Sequence, residues 1–306
     1  MTSTMLGVGL RSFHHEQFDV PRLVAQKQAQ GLRVSVCLPA RDEATTIGAI
    51  VSDIRRHLVE AAPLVDEIVV VDDASSDQTQ DFATAAGARV VAAADCLADV
   101  AAGPGKGQAL WKGLAETDGD LVVFCDADVR NFGPRFVTGL LGPLLLHPEV
   151  ALVKAFYERP LDGERTGGGR VTELVARPLI AALFPELTGV AQPLAGESAS
   201  RRCVLEQLPF VHGYGFELAL LVDVASRYGV RALAQVDLGV REHRNRPLGE
   251  LSPMSLAVLQ AGLSRAGMLA RTSATLVRPG TGSKEVALTE CPPLADLPSY
   301  RRRLGA

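Results

Sequence analysis

The sequence lacks the cysteine spacing of a disulfide framework or a zinc site. Its five cysteines are far apart, odd in number and form no CxxC pair: Cys37, Cys96, Cys125, Cys203 and Cys291. Cys37 and Cys125 lie inside apolar runs with the pattern of strands, so we expect buried free thiols. Such cysteine usage indicates a reducing compartment.

Long apolar runs are also absent. The most apolar stretch, residues 178–196, is interrupted by Pro185, Glu186 and Pro193, whereas a membrane span needs about 20 uninterrupted apolar residues. The N-terminus lacks the basic and apolar segments of a secretory signal. Both absences predict a cytoplasmic protein without a membrane partner.

Neither sign of charge dominates. The net charge is -4, with 31 lysines and arginines against 35 acidic residues, which gives no reason to expect non-specific binding to nucleic acid. A chain of 306 residues is long enough for one large α/β domain or two small ones. Because no internal repeat or linker is visible, we predict one fold.

Strands and helices alternate through the first half of the chain. Buried strands are predicted at 34–40, 66–75, 88–93 and 120–128, and helices at 45–59, 77–86 and 103–117. Thr45 or Thr46 is expected to cap the first helix. This alternation predicts an α/β fold with a doubly wound, mostly parallel sheet, in which ligands bind at the carboxyl ends of the strands.

The second half is less regular. Helices are predicted within 136–148, 170–185, 203–210, 214–229 and 255–270, and strands within 150–160 and 232–240. We expect residues 1–20 to be a loose arm. Residues 281–306, rich in proline, glycine, threonine and charge, are predicted to be a disordered tail.

Two carboxylates follow the fourth strand in the motif Asp126-Ala127-Asp128. Mg²⁺ and Mn²⁺ prefer oxygen ligands and are often held by one or two carboxylates together with substrate phosphates. Such an ion would neutralise charge on a leaving nucleotide diphosphate. The alternative is that the acids only solvate a strand end, but their position after an apolar strand of the alternating pattern favours a metal site.

Other polar groups follow the neighbouring strands. Asp72 or Asp73 can bond a ribose or base, or one of them can cap the next helix. Residues 39–43 form no GxGxxG fingerprint, which argues against a Rossmann dinucleotide site, and an ordinary polar loop between strand and helix is the alternative. A basic run at 241–246 follows the last predicted strand. His243 could bind a metal through a neutral nitrogen, and Asn245 suits an anionic acceptor. The alternative is that the run is only a solvated edge.

Two glycine-rich turns open helices. In the turn at 103–107, backbone N–H groups and Lys106 favour an anion, and in the turn at 167–172, Arg170 and Thr172 are suited to a phosphate or carboxylate. A plain turn is the alternative for the first, and a flexible surface loop for the second.

Eight segments, in their order and spacing, resemble the glucosyl-3-phosphoglycerate synthase family of retaining GT-A glycosyltransferases, which includes mannosyl-3-phosphoglycerate synthases. They are PARDE, VVVDDASSDQT, GPGKGQALW, DAD, GGGRVTELVARPL, PLAGE, GYGFE and VREHRNRP. The resemblance covers residues 20–270. It implies a GT-A fold, a UDP-glucose donor, transfer to the 2-hydroxyl of D-3-phosphoglycerate, Mg²⁺ or Mn²⁺, and a homodimer. The product would be a precursor of methylglucose lipopolysaccharide or glucosylglycerate.

The resemblance also implies a role for each matching residue. The nucleotide sugar would be bound by Pro39, Ala40, Glu43, Asp73, Lys106, Asp126, Ala127, Tyr214 and Glu217. The acceptor would be bound by Gly169, Arg170, Thr172 and Asn245. The metal would be held by Asp128 and His243. Catalysis would depend on Asp128, Glu197 and Arg241. Glu197 would hold the sugar's hydroxyls, and Arg241 would lie beside the diphosphate. A single catalytic domain would span 21–280, with a nucleotide-sugar half at 21–130 and an acceptor half at 131–280.

Departures from the family pattern leave the donor open. Arg41 and Asp42 stand where the family usually has Leu-Asn, and Ser198 replaces a usual aromatic residue. The alternatives are therefore GDP-mannose as donor, another acceptor for a GT-A transferase, or a non-catalytic nucleotide-sugar sensor on the same fold.

Overall fold

The computed structural model describes residues 9–97, 100, 105–161, 164–167, 169–242, 247–268, 274–280 and 282–303. The strands are β1 (Arg11–His14), β2 (Val34–Ala40), β3 (Glu67–Asp72), β4 (Arg89–Ala92), β5 (Leu121–Phe124), β6 (Leu152–Glu158), β7 (Pro160–Leu161), β8 (Glu164–Gly167), β9 (Ser198–Arg201), β10 (Phe210–Val211), β11 (Leu233–Val240), β12 (Thr275–Arg278), β13 (Gly282–Glu285) and β14 (Glu290–Cys291).

The helices are α1 (Val20–Gln30), α2 (Ile47–Ile54), α3 (Thr79–Ala85), α4 (Lys106–Glu116), α5 (Arg135–Leu146), α6 (Arg177–Leu183), α7 (Arg202–Leu205), α8 (Phe216–Tyr228), α9 (Leu248–Arg265) and α10 (Pro298–Arg303). A π-helical segment, Arg55–Glu60, continues α2, and another, Thr172–Ala176, leads into α6. In the described ranges, no helix combines the length and apolar character that crossing a membrane requires.

The main sheet confirms the predicted doubly wound arrangement. Its strand order is β1-β11-β6-β9-β5-β2-β3-β4, and every neighbouring pair is parallel except the two that involve β9. Side chains of β2 alternate between two apolar cores. Val36 and Leu38 face the core that includes α1, α2 and α5, whereas Cys37 faces the core that includes α4 and α8.

The register of the strands brings the predicted motifs together. Ala40 pairs with Asp72, and Cys37 pairs with Phe124. The carboxyl ends of β2, β3 and β5 are therefore neighbours, and the polar residues that follow each of them meet at one edge of the sheet. Cys37 and Cys125 are buried free thiols, as predicted.

The N-terminal prediction was wrong for the residues that the structure describes. Residues 11–14 are not loose, because they form the edge strand β1, which pairs in parallel with β11 from Arg11 opposite Ala234 to His14 opposite Asp237. The short RSFH sequence contains no apolar run from which a strand could be predicted.

The prediction of a disordered C-terminal tail was also wrong for the residues that the structure describes. β14 pairs with β10, and Cys291, Leu294 and Tyr300 are at most 2% exposed. The indole Nε1 of Trp111 donates to the carbonyl of Pro292 at 2.9 Å. A few buried apolar anchors hold a segment whose overall composition resembles disorder.

Two smaller expectations failed as well. Thr46 precedes α2 without a side-chain capping bond, because its hydroxyl donates to the carbonyl of Ala127 at 2.6 Å. Helix α9 begins at Leu248, seven residues before the predicted start, and continues through Pro253. Strand β9 was not predicted.

Candidate active site

A cavity of about 700 Å³ opens at the carboxyl ends of β2, β3 and β5. The predicted site residues that line it are Pro39, Ala40, Glu43, Asp73, Lys106, Asp126, Ala127, Asp128, Gly169, Arg170, Thr172, Tyr214, Glu217 and Arg241. Glu197 is fully buried beside it. His243 and Asn245 lie outside the described residues. A smaller cavity, of about 200 Å³ beside α6, contains none of the predicted site residues.

Arg241 connects three carboxylates at the floor of the cavity. It follows β11 directly and is 3% exposed. Its Nε donates to Glu197 Oε1, and its Nη2 donates to Asp126 Oδ2 and to Asp128 Oδ1, each at 2.8 Å. Burial opposes the guanidinium charge, but the carboxylates, Glu197 foremost, raise the pKa of Arg241 well above its ordinary value. The cation is therefore permanent.

Glu197 is held on both of its oxygens. The hydroxyl of Tyr157 donates to Oε2 at 2.5 Å, while Arg241 occupies Oε1. Burial, together with the charge of Glu197, raises the pKa of Tyr157 despite the opposing charge of Arg159. Tyr157 thus stays a hydrogen-bond donor, and Glu197 is fixed in one position.

Lys106, the first residue of α4, belongs to the same network. Its Nζ lies 2.6 Å from Asp126 Oδ1 and 2.9 Å from Glu217 Oε1. Burial works against the ammonium charge, yet Asp126 and Glu217 raise the pKa of Lys106 well above its ordinary value. The plain-turn alternative is therefore wrong for Lys106. Gly105, which directly precedes Lys106, has a φ of 135°, and its N–H donates to Asp73.

The two acids of the Asp126-Ala127-Asp128 motif differ in their electrostatics. Burial disfavours the ionised form of Asp126, but Lys106 and Arg241 hold the pKa of Asp126 well below its usual range. For Asp128, burial raises the pKa, and the nearby charges of Asp126 and Glu197 add to this effect against Arg241. Asp128 therefore sits where a further positive charge would stabilise its ionised form.

These residues fit a divalent metal ion. Carboxylate oxygens are the donors that Mg²⁺ and Mn²⁺ prefer. The side chain of Asp128 is 30% exposed toward the cavity, against 19% for Asp126, and only Asp126 is also bonded to a lysine. Asp128 is thus the carboxylate of the pair that is better placed to take an ion.

Gly196 has no room for a side chain. A Cβ built there would lie 2.3 Å from Asp126 Oδ2 and 2.4 Å from Lys106 Nζ. Both distances are far below van der Waals contact. A side chain at this position of the PLAGE segment would therefore force the ends of the Asp126 and Lys106 side chains to shift.

Asp72 and Asp73 have different environments. Asp72 is buried and accepts bonds from the N–H of Ser75 and from Gln80. It does not cap the next helix, because the residue before α3 is Gln78 and no side chain makes a capping bond there. Asp73 lines the cavity and is the member of the pair placed to contact a ligand. The adjoining loop is tied in by Asp42, whose carboxylate accepts from the N–H of Ser76 at 2.7 Å.

Residues 169–172, the last part of the second glycine-rich segment, line the other side of the cavity. Gly169 has a φ of 78°, a conformation that favours glycine, and Thr172 is buried. Arg170 also lines the cavity.

Several residues at or beside the cavity were not predicted from the sequence. Tyr157 and Arg159 lie at the carboxyl end of β6. Because ligands bind at the carboxyl ends of strands in such sheets, both residues could have been predicted. The apolar wall contributed by Met254 and Val258 of α9 carries no motif.

Comparisons with known proteins agree with this geometry. Residues 35–171 match the Glycosyl transferase family 2 model. The chain is 42% identical to the glucosyl-3-phosphoglycerate synthase of Petrotoga mobilis, over 96% of each chain. It is 52% identical to that of Mycolicibacterium paratuberculosis, over 84% of this chain and 79% of the relative.

Solved structures give the same result. The crystal structure of Mycobacterium tuberculosis glucosyl-3-phosphoglycerate synthase in complex with Mn²⁺, UDP-glucose and phosphoglyceric acid matches with a TM-score of 0.85 and 46% identity, covering 94% of this chain and 98% of that one. Its complex with Mg²⁺ and UDP matches with a TM-score of 0.83 and 45% identity, covering 93% and 98%. The chain therefore has the GT-A fold and belongs to the glucosyl-3-phosphoglycerate synthase family.

Proposed function

We propose that this protein transfers glucose from UDP-glucose to the 2-hydroxyl of D-3-phosphoglycerate with the help of Mg²⁺ or Mn²⁺. The observation that carries the proposal is the Arg241 network. One buried cation joins Asp126, Asp128 and Glu197 in a cavity at the carboxyl ends of the strands. The family's solved complexes with Mn²⁺, UDP-glucose and phosphoglyceric acid support the assignment of donor and acceptor.

The donor would occupy the part of the cavity around β2, β3 and α4. Nucleotide contacts would come from the loop after β2 and from Asp73, and sugar contacts from the buried network. The donor-binding residues that we propose are Pro39, Ala40, Glu43, Asp73, Lys106, Asp126, Ala127, Tyr214 and Glu217. Of these, Lys106 and Asp126 are fixed by their mutual ion pair.

The metal would be held by Asp128 together with His243. When bound, the ion would supply a Lewis acid that neutralises negative charge on the departing diphosphate. Arg241, which is permanently charged, would stabilise the same charge from the protein side. The acceptor would be bound by Gly169, Arg170, Thr172 and Asn245.

The contacts of Glu197 favour a same-face substitution over a double displacement. A double displacement needs a carboxylate that is free to attack the anomeric carbon. Glu197 is fully buried, and its two oxygens are taken by Arg241 and Tyr157. We therefore propose that Glu197 acts by holding Arg241 and Tyr157 in place and does not contact the sugar's hydroxyls itself. The acceptor hydroxyl would attack on the face that the leaving phosphate vacates and would give its proton to that phosphate.

The test is a donor-by-acceptor assay with the full chain. UDP-glucose and GDP-mannose are each incubated with 3-phosphoglycerate, glycerate or no acceptor, in Mg²⁺, Mn²⁺ or EDTA, and products are identified by mass spectrometry. We expect glucosyl-3-phosphoglycerate only with UDP-glucose, 3-phosphoglycerate and metal. Mannosyl transfer from GDP-mannose would overturn the donor assignment. Metal-dependent donor binding without any transfer would favour a sensor.

We also propose that the protein is a homodimer. Large apolar side chains are exposed in the second half of the chain, among them Leu174 (73%), Val277 (66%) and Met268 (48%), and such groups are candidates for burial between subunits. Multi-angle light scattering should give a mass near twice the chain's 32.4 kDa. A single-chain mass at micromolar concentration would contradict the proposal.

A further inference from the structure

The positive charges that line the cavity lie in different parts of it. Among the described lining residues, the basic side chains are Arg41, Lys106, Arg159, Arg170 and Arg241. Lys106 and Arg241 are bonded to carboxylates of the network, and Arg41 lies 3.9 Å from Asp73 at the nucleotide end. Arg159 and Arg170 belong to the acceptor side of the cavity.

Arg159 is held in place by an aromatic ring. Its guanidinium carbon lies 4.9 Å from the centre of the Tyr157 ring, and its Nη2 donates to the Tyr157 hydroxyl at 3.0 Å. The same hydroxyl donates to Glu197. Arg159 is therefore aligned by the group that also fixes Glu197.

The guanidinium of Arg159 has donor capacity left over. Its Nε is buried and has no hydrogen-bond partner in the part of the chain that the structure describes. Buried N–H groups are nearly always paired, so the guanidinium has donor capacity that the described residues do not use. Arg159 also lines the cavity, where a ligand can reach its outer part.

The position of Arg159 is beside the acceptor loop. A Cβ placed on Gly169 would lie 3.7 Å from Arg159 Nη1 and 3.8 Å from Thr172 Oγ1. Arg159 thus stands between the Tyr157–Glu197 pair on one side and the Gly169–Thr172 turn on the other.

Phosphoglycerate carries one anionic group on each side of its reacting hydroxyl: a carboxylate on C1 and a phosphate on C3. The turn before Thr172–Ala176 and α6, with Arg170 and Thr172, suits the phosphate, since helix starts favour phosphate oxygens. We propose that Arg159, whose planar guanidinium matches a carboxylate, binds the C1 carboxylate of the acceptor. This inference rests on the proposed function.

The experiment compares two acceptors in Arg159→Gln, Arg159→Lys and the wild-type chain. D-3-Phosphoglycerate has both anionic groups, whereas sn-glycerol 3-phosphate has the phosphate and the 2-hydroxyl but no carboxylate. We expect Arg159→Gln to raise the KM for 3-phosphoglycerate about 10- to 100-fold, with the KM for UDP-glucose unchanged. The same variant should leave the kinetics with glycerol 3-phosphate nearly unaltered. The KM of Arg159→Lys for 3-phosphoglycerate should lie between those of the wild type and Arg159→Gln.

Exposed Arg33, which lies outside the cavity, supplies the matched control. Arg33→Gln should behave as the wild type with both acceptors. The carboxylate assignment would be overturned if Arg159→Gln raised the KM for the two acceptors equally, or raised neither.

Binding of each acceptor is measured separately, by calorimetry in the presence of UDP and Mn²⁺. If the wild type transfers no glucose but binds 3-phosphoglycerate through Arg159, the proposed function fails and the Arg159 assignment stands. If it binds no 3-phosphoglycerate at all, both are overturned. A variant that misfolds is recognised by a lowered Tm, and the Arg159→Lys result then decides.

Discussion

Arg241 shows how one residue can set the charge of a whole site. Its guanidinium forms separate bonds to Glu197, Asp126 and Asp128 from two of its nitrogens. A planar group with several fixed donors can do this, whereas a lysine presents its donors from a single point. The identity of the cation therefore matters as well as its charge.

Replacing Arg241 tests this role. Arg241→Met should reduce the free energy of unfolding by about 3–5 kcal/mol, because it leaves the buried Glu197 without its counter-charge. It should also lower kcat by about 10²–10³-fold through the loss of charge stabilisation at the diphosphate. Urea denaturation and steady-state kinetics measure the two effects. Exposed Arg56, changed in the same way, is the control and should alter neither.

Gly196 gives a second residue-scale prediction. Gly196→Ala should lower transfer activity, because the new Cβ would displace Asp126 or Lys106 from their 2.6 Å contact. Gly48→Ala, in helix α2, is the matched control, since its Cβ would meet Phe82 at an ordinary 3.6 Å. Alanine there should stabilise the helix by up to about 1 kcal/mol. Equal kcat values in the two variants would disprove the steric account.

Which residues meet at the site could largely be predicted from the sequence, but how they pair could not. The Asp126-Ala127-Asp128 motif and Arg241 were expected at the carboxyl ends of strands, where ligands bind in such sheets, and both line the cavity. Whether Asp72 or Asp73 faces a ligand depends on side-chain contacts with Ser75 and Gln80, which no local pattern encodes. Arg159 was missed because a single arginine after a strand is not a motif.

At the scale of elements, β6 carries a charge that the sheet interior disfavours. Lys154 is 2% exposed, and its ammonium donates to the carbonyl of Ala195 in the loop before Glu197. Burial lowers the pKa of Lys154 to about 8, despite the opposing charges of Glu217 and Glu197. Lys154 thereby links β6 to the loop that contains Gly196.

This lowered pKa predicts a pH dependence of stability. Between about pH 8 and the ordinary lysine pKa of 10.5, the unfolded chain binds a proton that the folded chain has released. The contribution of Lys154 to stability should therefore rise with pH across this interval, by up to about 3 kcal/mol. Denaturation of wild type and Lys154→Met between pH 7 and 10 measures the difference, with exposed Lys284→Met as control. A constant difference would contradict the prediction.

The elements with strong apolar patterns were predicted correctly, and those without were not. β2, β3 and β5 consist of apolar runs, and each was recognised. β1 (Arg11–His14) and β9 (Ser198–Arg201) contain polar residues and owe their structure to strands that already exist beside them. Such strands depend on tertiary pairing, which a local sequence pattern does not contain.

At the scale of the whole molecule, the C-terminal segment completes the core. Leu294 and Tyr300 are buried with α4, and the chain's single tryptophan, Trp111, bonds to the carbonyl of Pro292. The Tyr300 hydroxyl also donates to Glu206 at 2.5 Å. The last described residues therefore belong to the catalytic fold.

Truncation tests this packing. A chain that ends at Thr289 should lose several kcal/mol of stability, because each large side chain removed from the core is worth about 1.5–3 kcal/mol. Exposure of Trp111 should shift its fluorescence to longer wavelength. A chain that ends at Arg303 retains all the described contacts and should match the full-length spectrum and Tm. An unchanged spectrum in the shorter chain would contradict the packing.

The acids at the carboxyl ends of the strands should make glucosyl transfer to 3-phosphoglycerate depend on a metal, with Asp128 as the proposed ligand. The most direct test is the initial rate of Asp128→Ala over a titration of Mn²⁺ at saturating UDP-glucose and 3-phosphoglycerate. Asp95→Ala, which removes an exposed carboxylate outside the cavity, is the control. We predict that Asp128→Ala loses at least about 10²-fold in rate at every metal concentration, whereas Asp95→Ala follows the wild type. A wild-type metal titration curve for Asp128→Ala would contradict the account.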